Sequence, residues 1–332
     1  MRQLTQTAFV LGGTGQIGRA VSRRLTEAGW DVTVGARREP DPPLDTRFAR
    51  VDRTVPGELE TAVGSGVDVL VDVIPLRTED GEQLRGLAGR IGSVVSISTG
   101  GVYEDDAGRP FGDPEATFPV PITEEQATVA PDGDDYHSTK RTIELALLEE
   151  AELQATIIRP CAIHGPHGRQ LREWFFVKRA LDGRRTIVLA HRGEGRFHTT
   201  SVDNLADLVR LAAKRPGSRA LNCGDPDPPN VLEISRAIAA AMDVDWTEIL
   251  LPGAEQGMLG DHPWNTPRPF VVDMTKASTE LGYRPVATYA QAVERTIAWL
   301  VDARPAAATY MQPMFDYRAE DAFLRGLSDP GG

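Results

Sequence analysis

Tyr136 and Lys140 stand four residues apart in the run Tyr136-His137-Ser138-Thr139-Lys140, which puts both on one face if the segment is helical. A phenol with an ordinary pKa near ~10 transfers protons poorly at neutral pH until a nearby cation favours the phenolate, and Lys140 could supply that charge. A second cluster, Gly12-Gly13-Thr14-Gly15-Gln16-Ile17-Gly18, contains Gly12-x-x-Gly15-x-x-Gly18. Gly12 permits a tight turn, Gly15 lets backbone approach a pyrophosphate, and Gly18 lets a helix pack on a strand. The helix starting there offers free N–H groups and a positive dipole end. Thr14, Gln16 and Ile17 belong to the same candidate cofactor turn; a purely structural turn would use the same glycines.

The nucleotide is read from the end of the next strand, Val34-Gly35-Ala36-Arg37-Arg38. An acid there would bond the ribose 2′-hydroxyl of NAD, and none is present. Arg37 and Arg38 offer planar, permanently charged donors to a 2′-phosphate, so NADP is the expected cofactor, with NAD the alternative. A solvated arginine pair would look the same. Asp52, after the third strand, suits either an adenine contact or a turn.

Apolar runs at 7–11, 31–35, 48–51, 67–74, 93–98 and 155–159 alternate with helical patterns, one from about 137 to 150. That rhythm predicts βαβ units in an α/β, doubly wound parallel sheet of the Rossmann type. Ser98-Thr99-Gly100-Gly101-Val102-Tyr103 follows the fifth strand, at the sheet edge where such folds bind ligands. The expected organisation is a dinucleotide-binding domain over 1–160, with returning strands near 186–190 and 219–223. A mainly substrate-binding region spans 161–305, with helices at 170–182, 203–214, 231–242 and 288–303, and a surface tail covers 306–332. Residues 104–135, rich in Pro, Gly, Asp and Glu, read as a long loop over the active-site edge, either a functional lid or a mobile insertion.

Composition narrows the function classes. The 332 residues carry a formal charge of −12, which disfavours nucleic acid and anionic lipid as partners. No apolar run reaches the ~20 residues of a membrane span. Cys161 and Cys223 cannot build a disulfide framework, consistent with a reducing cytoplasm, and the N-terminus lacks a signal-peptide pattern. The six histidines show no ligand spacing, so no metal is expected.

Together these motifs resemble the extended short-chain dehydrogenases/reductases of the NAD-dependent epimerase/dehydratase superfamily. The resemblance runs from the glycine turn to about residue 302. It includes Arg159-Pro160 with Gly165-Pro166, Val202-Asp203-Asn204-Leu205-Ala206, Asn222 with Gly224, and Lys276…Leu281-Gly282-Tyr283-Arg284-Pro285. The resemblance implies a catalytic set of Thr99, Tyr136 and Lys140. In it Tyr136 exchanges a proton with the substrate oxygen, Thr99 holds that oxygen, and Lys140 also binds the nicotinamide ribose. It also implies a homodimer, which the spread of apolar Ile143, Leu145, Ala146, Leu147 and Leu148 would suit.

Three departures shape the substrate reading. Gly100 and Gly101 stand where dehydratases of the superfamily carry an acidic pair, which points away from dehydration. Pro160-Cys161-Ala162 replaces an expected phosphate-binding asparagine, and His164 stands at a usual tyrosine, so substrates without a nucleotide diphosphate gain weight. The candidate substrate surface comprises Gly101, Tyr103, His164, Trp174, Arg196 and His198, with Phe175, Phe176 and the His262-Pro263-Trp264 turn. The aromatic cluster would equally suit a core, and each histidine a structural hydrogen bond. The expected function is an oxidoreductase moving hydride between NADP(H) and a carbonyl or hydroxyl of a small metabolite. The alternatives are an epimerase working through a transient ketone and a non-catalytic NADP-binding protein.

Overall fold

Short runs of β-branched and apolar residues, each followed by glycine or a polar break, fit buried strands of a parallel sheet better than helices. In the computed structural model, which describes residues 5–131, 133–169, 171–266 and 268–328, those runs are strands. In chain order the elements begin β1 (Thr7–Leu11), α1 (Gln16–Glu27), β2 (Asp31–Ala36), β3 (Arg47–Arg50), α2 (Glu58–Val63), β4 (Val69–Asp72), α3 (Thr78–Arg85) and β5 (Val94–Ile97). There follow α4 (Tyr136–Leu148), β6 (Ala155–Pro160), β7 (Ala162–His164), α5 (Trp174–Leu181), β8 (Thr186–Leu189), β9 (Thr199–Ser201), α6 (Val202–Lys214) and β10 (Arg219–Cys223). The chain ends with α7 (Val231–Met242), β11 (Thr247–Leu250), α8 (Thr275–Leu281), α9 (Tyr289–Ala303) and α10 (Arg318–Ser328).

The chain divides into two units. The first takes residues up to Ile163, Thr200–Asp225 and Val272–Ala287. Its seven-stranded sheet has the order β10-β6-β5-β4-β1-β2-β3, every neighbouring pair parallel. Ala8 and Val10 of β1 face the core under α1, α6 and α8, while Phe9 and Leu11 face the core under α2, α3 and α4. The period of two thus makes three layers. Strand order reverses beside β1, and the glycine turn lies at this switch point, where open sheets bind ligands.

Residues 104–135 form neither helix nor strand where described, but they are pinned rather than loose. The Asp105 carboxylate is buried and accepts from the backbone N–H groups of Ala107, Arg109 and Thr117, which hold its pKa far below the usual range. Ile122 is fully buried and its carbonyl accepts from Asp273 N. Three backbone bonds to one carboxylate staple the segment locally.

The second unit takes His164–Thr199, Pro226–Val271 and the chain from Thr288 onward. The strand expected near 186–190 does not return to the main sheet; β8 pairs in parallel with β11, Ile187 opposite Glu248. An apolar run specifies a buried strand but not its partner, which is why this assignment failed. The segments that return to the first unit are 200–225 and 272–287. Of the helix expected at 170–182, Gln170 lies outside the described residues, as do the last four residues of the expected tail. The rest of that tail is not surface wrapping: Met311 and Met314 join the core of Phe175, Phe176, Ile234 and Trp264. On α10, Glu320 pairs at 3.0 Å with buried Arg179 of α5, which also donates to Met314 O at 2.7 Å. Removing one partner of such a pair strands a buried charge. Glu320→Ala is therefore expected to destabilise the protein by about 3 kcal/mol in urea unfolding.

Candidate active site

The helix α4 starts at Tyr136 because Asp135 caps it. Asp135 Oδ1 accepts from His137 N (2.8 Å) and Ser138 N (3.1 Å), and Oδ2 from Ser138 Oγ (2.6 Å). One turn on, Lys140 is 3% exposed and its Nζ donates to the Ile97 carbonyl, the last of β5, at 2.9 Å. The same Nζ lies 5.6 Å from the centre of the Tyr136 ring. Two residues past Ile97, Thr99 caps a short turn and its Oγ1 accepts from Gly101 N at 3.1 Å. Ser98 beside it is buried, which leaves Thr99, half-buried, as the hydroxyl at the surface of the sheet edge. The structure thus gathers Thr99, Gly101, Tyr136 and Lys140 at the end of β5.

The electrostatics differ from the simplest expectation. Tyr136 is 51% exposed, and such burial as its phenol has pushes its pKa up from the ordinary value. Lys140 rests over the ring face and serves Ile97, so in this structure its charge does not pull the phenol down. Burial instead pushes the lysine itself down to about 8, against the opposing pull of Asp72, Glu144 and Asp80. Below about pH 8 the ammonium is charged folded and unfolded, so its desolvation penalty is present in full. Between about 8 and its ordinary 10.5 only the unfolded form carries the proton, so this group's contribution to stability rises with pH. Lys140→Met is expected to raise stability by about 2 kcal/mol at neutral pH. The advantage should shrink from about pH 8 upward, as read by chemical denaturation across pH.

Two buried arginines, making three ion pairs, brace this arrangement, and sequence reading missed the pairs. Arg53 bonds Asp72 at the end of β4 (2.6 Å) and Asp80 in the first turn of α3 (3.2 Å). Arg159 on β6 grips Glu144, one turn past Lys140, with Nε and Nη2 at 2.9 and 2.6 Å. Tyr103, expected on the substrate surface, belongs to that second network instead. Its hydroxyl donates to Asn222 Oδ1 (2.7 Å) and accepts from Arg159 Nη1 (3.1 Å), and burial pushes its pKa up to about 12. A fully buried phenol with both partners satisfied has no surface left for substrate. Arg159-Pro160 was visible as a motif, but its pairing with Glu144 spans elements that no local spacing connects.

At the switch point beside β1 the glycine turn fits a dinucleotide. Gly12 has φ +82°, and a Cβ on Gly18 would lie 2.4 Å from Gly12 O, so that helix and turn touch through backbone. A Cβ on Gly15 would meet nothing nearer than 3.6 Å; the start of α1 is exposed there, without a side-chain cap. Thr14, Gln16 and Ile17 are half-buried around it. Arg37 and Arg38 are exposed immediately after β2. Asp52, half-exposed, accepts from Thr54 N (3.0 Å) and Oγ1 (2.7 Å); those bonds, with the charges of Arg37 and Arg77, lower its pKa. Arg77 at this corner was also missed.

The other expected substrate residues belong to the second unit. Trp174 is 5% exposed and packs in the apolar core with Phe175 and Phe176, the core reading rather than a substrate wall. His164 and His198 are buried; the His164 ring lies 4.8 Å from that of Tyr289, and His198 N donates to Phe270 O. Arg196 is half-buried and bonds the Pro228 carbonyl at 2.9 Å. Buried this completely, Trp174, His164 and His198 do not form an open surface.

Comparison with known proteins agrees with this architecture. The profile of the NAD dependent epimerase/dehydratase family matches residues 8–80 and 82–224. The uncharacterized protein YbjS of Escherichia coli (strain K12) is 25% identical over 184 residues, 47% of this chain and 53% of that protein. The matched region thus spans about half the length of that curated relative. The fold is shared with UDP-N-acetylglucosamine 4-epimerase from Bacillus cereus (18% identity, 90% of this chain and 100% of that one, TM-score 0.70). It is shared equally with dTDP-glucose 4,6-dehydratase from Bacillus anthracis str. Ames in complex with NAD (18%, 90% and 97%, TM-score 0.68). With most of its sheet-forming half matched to the profile and its glycine turn at the switch point, the chain belongs to the NAD dependent epimerase/dehydratase family.

Proposed function

We propose that this protein is an oxidoreductase that interconverts a carbonyl and a hydroxyl on a small metabolite, with NADP(H) as its cofactor. The observation that carries the reading is the buried Lys140 ammonium, bonded to Ile97 O two residues before Thr99, with its Nζ 5.6 Å from the centre of the Tyr136 ring. Bound along the glycine turn, the nicotinamide cofactor would supply or accept the hydride. In the reducing direction Tyr136 gives its phenolic proton to the substrate oxygen, so that one O–H bond breaks as another forms. Thr99 Oγ1 holds that oxygen by a hydrogen bond, and Lys140, one helical turn from Tyr136, would bind the nicotinamide ribose. Gly12, Gly15 and Gly18 admit the pyrophosphate to the start of α1, and Arg37 and Arg38 bind the 2′-phosphate. A homodimer in the cytoplasm belongs to the same reading, and sedimentation of the purified chain tests its oligomeric part.

Nucleotide-stripped protein should bind NADP more tightly than NAD in calorimetry. The Arg37→Ala, Arg38→Ala double variant should weaken NADP binding about tenfold to hundredfold and leave NAD nearly unchanged. Equal binding of both nucleotides would remove the NADP assignment, and nucleotide that resists stripping would favour an epimerase, which never exchanges its cofactor. Tyr136→Phe should lower turnover by about 10²–10⁴-fold while retaining nucleotide affinity. Unchanged turnover in that variant would refute the proton-transfer role.

A further inference from the structure

Gly101 is a glycine because of its neighbour, not its backbone. Its φ is not in the left-handed region, but a Cβ there would lie 2.5 Å from His137 Nε2 and 2.8 Å from His137 Cδ2. The imidazole edge therefore occupies the space that a side chain after Gly100 would fill. The same glycine donates its N–H to Thr99 Oγ1 at 3.1 Å, so one residue separates the imidazole from the hydroxyl assigned to the reacting oxygen. On its other sides the ring meets Tyr136, centroids 5.5 Å apart, and Phe111 at 6.1 Å, both edge-on. The ring is half-buried, and burial pushes its pKa below the ordinary value, opposed by Asp135 at the start of the same helix. Gly101 and Phe111, from other elements, bring no charge, and Tyr136 is neutral at pH 7. At neutral pH the imidazole therefore offers one N–H donor and one lone pair.

The geometry points to His137 as a specificity-determining residue that hydrogen-bonds a hydroxyl on the carbon next to the one that reacts. The substrate class is then an α-hydroxy carbonyl compound or, in the oxidising direction, a vicinal diol. A hydroxyl can donate or accept, so it pairs with a neutral imidazole whichever ring nitrogen, N–H or lone pair, faces it; a carboxylate pairs only with the N–H and an ammonium only with the lone pair. The inference rests on the proposed roles of Thr99 and Tyr136.

The test uses the full chain with NADPH and a matched pair of probes: hydroxyacetone, and butanone, which carries a methyl in place of the hydroxyl. The wild type should favour hydroxyacetone by about tenfold in kcat/KM, a discrimination that one satisfied hydrogen bond can supply. His137→Phe should bring the ratio to about one, whereas His137→Gln, whose amide also donates and accepts, should keep most of it. Gly101→Ala, which displaces the ring without removing it, should also lower the ratio, and it stands in if His137→Phe does not fold. The wild-type preference should fall on the acid side as the imidazole loses its lone pair, and His137→Gln should lack that fall. A wild-type ratio near one, or an unchanged ratio in His137→Phe, overturns this proposal alone. Reduction of neither ketone by the wild type overturns it together with the Tyr136 reading.

Discussion

The bond from Lys140 Nζ to the Ile97 carbonyl is the constraint on which the candidate site depends. It ties α4, one turn past Tyr136, to the last residue of β5, two residues before Thr99. Burying an ammonium is costly, and the chain surrounds this one with carboxylates from three elements: Asp72 on β4, Asp80 on α3 and Glu144 on α4 itself. Those carboxylates are in turn held by arginines, Arg53 for the first two and Arg159 for the third. Breaking either arginine's pairing would leave a buried carboxylate short of its partner next to the lysine, so the two arginines and the carboxylates they hold are coupled.

Close approach is the second organising constraint, and glycine provides it twice with different partners. At Gly18 the neighbour is backbone, the Gly12 carbonyl and Gly13 Cα, and nothing can yield there. At Gly101 the neighbour is the His137 side chain. The first brings helix and turn together; the second exchanges a side chain on the β5 turn for an imidazole delivered from α4.

Much of the architecture was legible because it is local. Strand, glycine turn and helix follow one another at the N-terminus, and the period of two in β1 already assigns Phe9 and Leu11 to one face and Ala8 and Val10 to the other. The pairing of Tyr136 with Lys140 is likewise local, one helical turn. The errors were of another kind. The strand at 186–189 was visible as a strand but joined β11, and Tyr103 stood in a motif beside the site yet turned inward to Arg159 and Asn222. The tail after Arg304 looked like punctuation, but Met311, Met314 and Glu320 complete a core and an ion pair.

By itself the sequence determined the order of elements, the parallel sheet, the glycine turn and the spacing that puts a tyrosine and a lysine on one helical face. Each of these follows from the short-range geometry of the backbone, which repeats every two or 3.6 residues and is written in neighbouring positions. Only the tertiary structure decided which buried charges meet, which strand β8 joins, and that His137 fills the space left at Gly101. Those outcomes depend on contacts between residues tens of positions apart. Burial turns such contacts from optional into obligatory, because a polar group withdrawn from water must find its partner wherever the fold brings one.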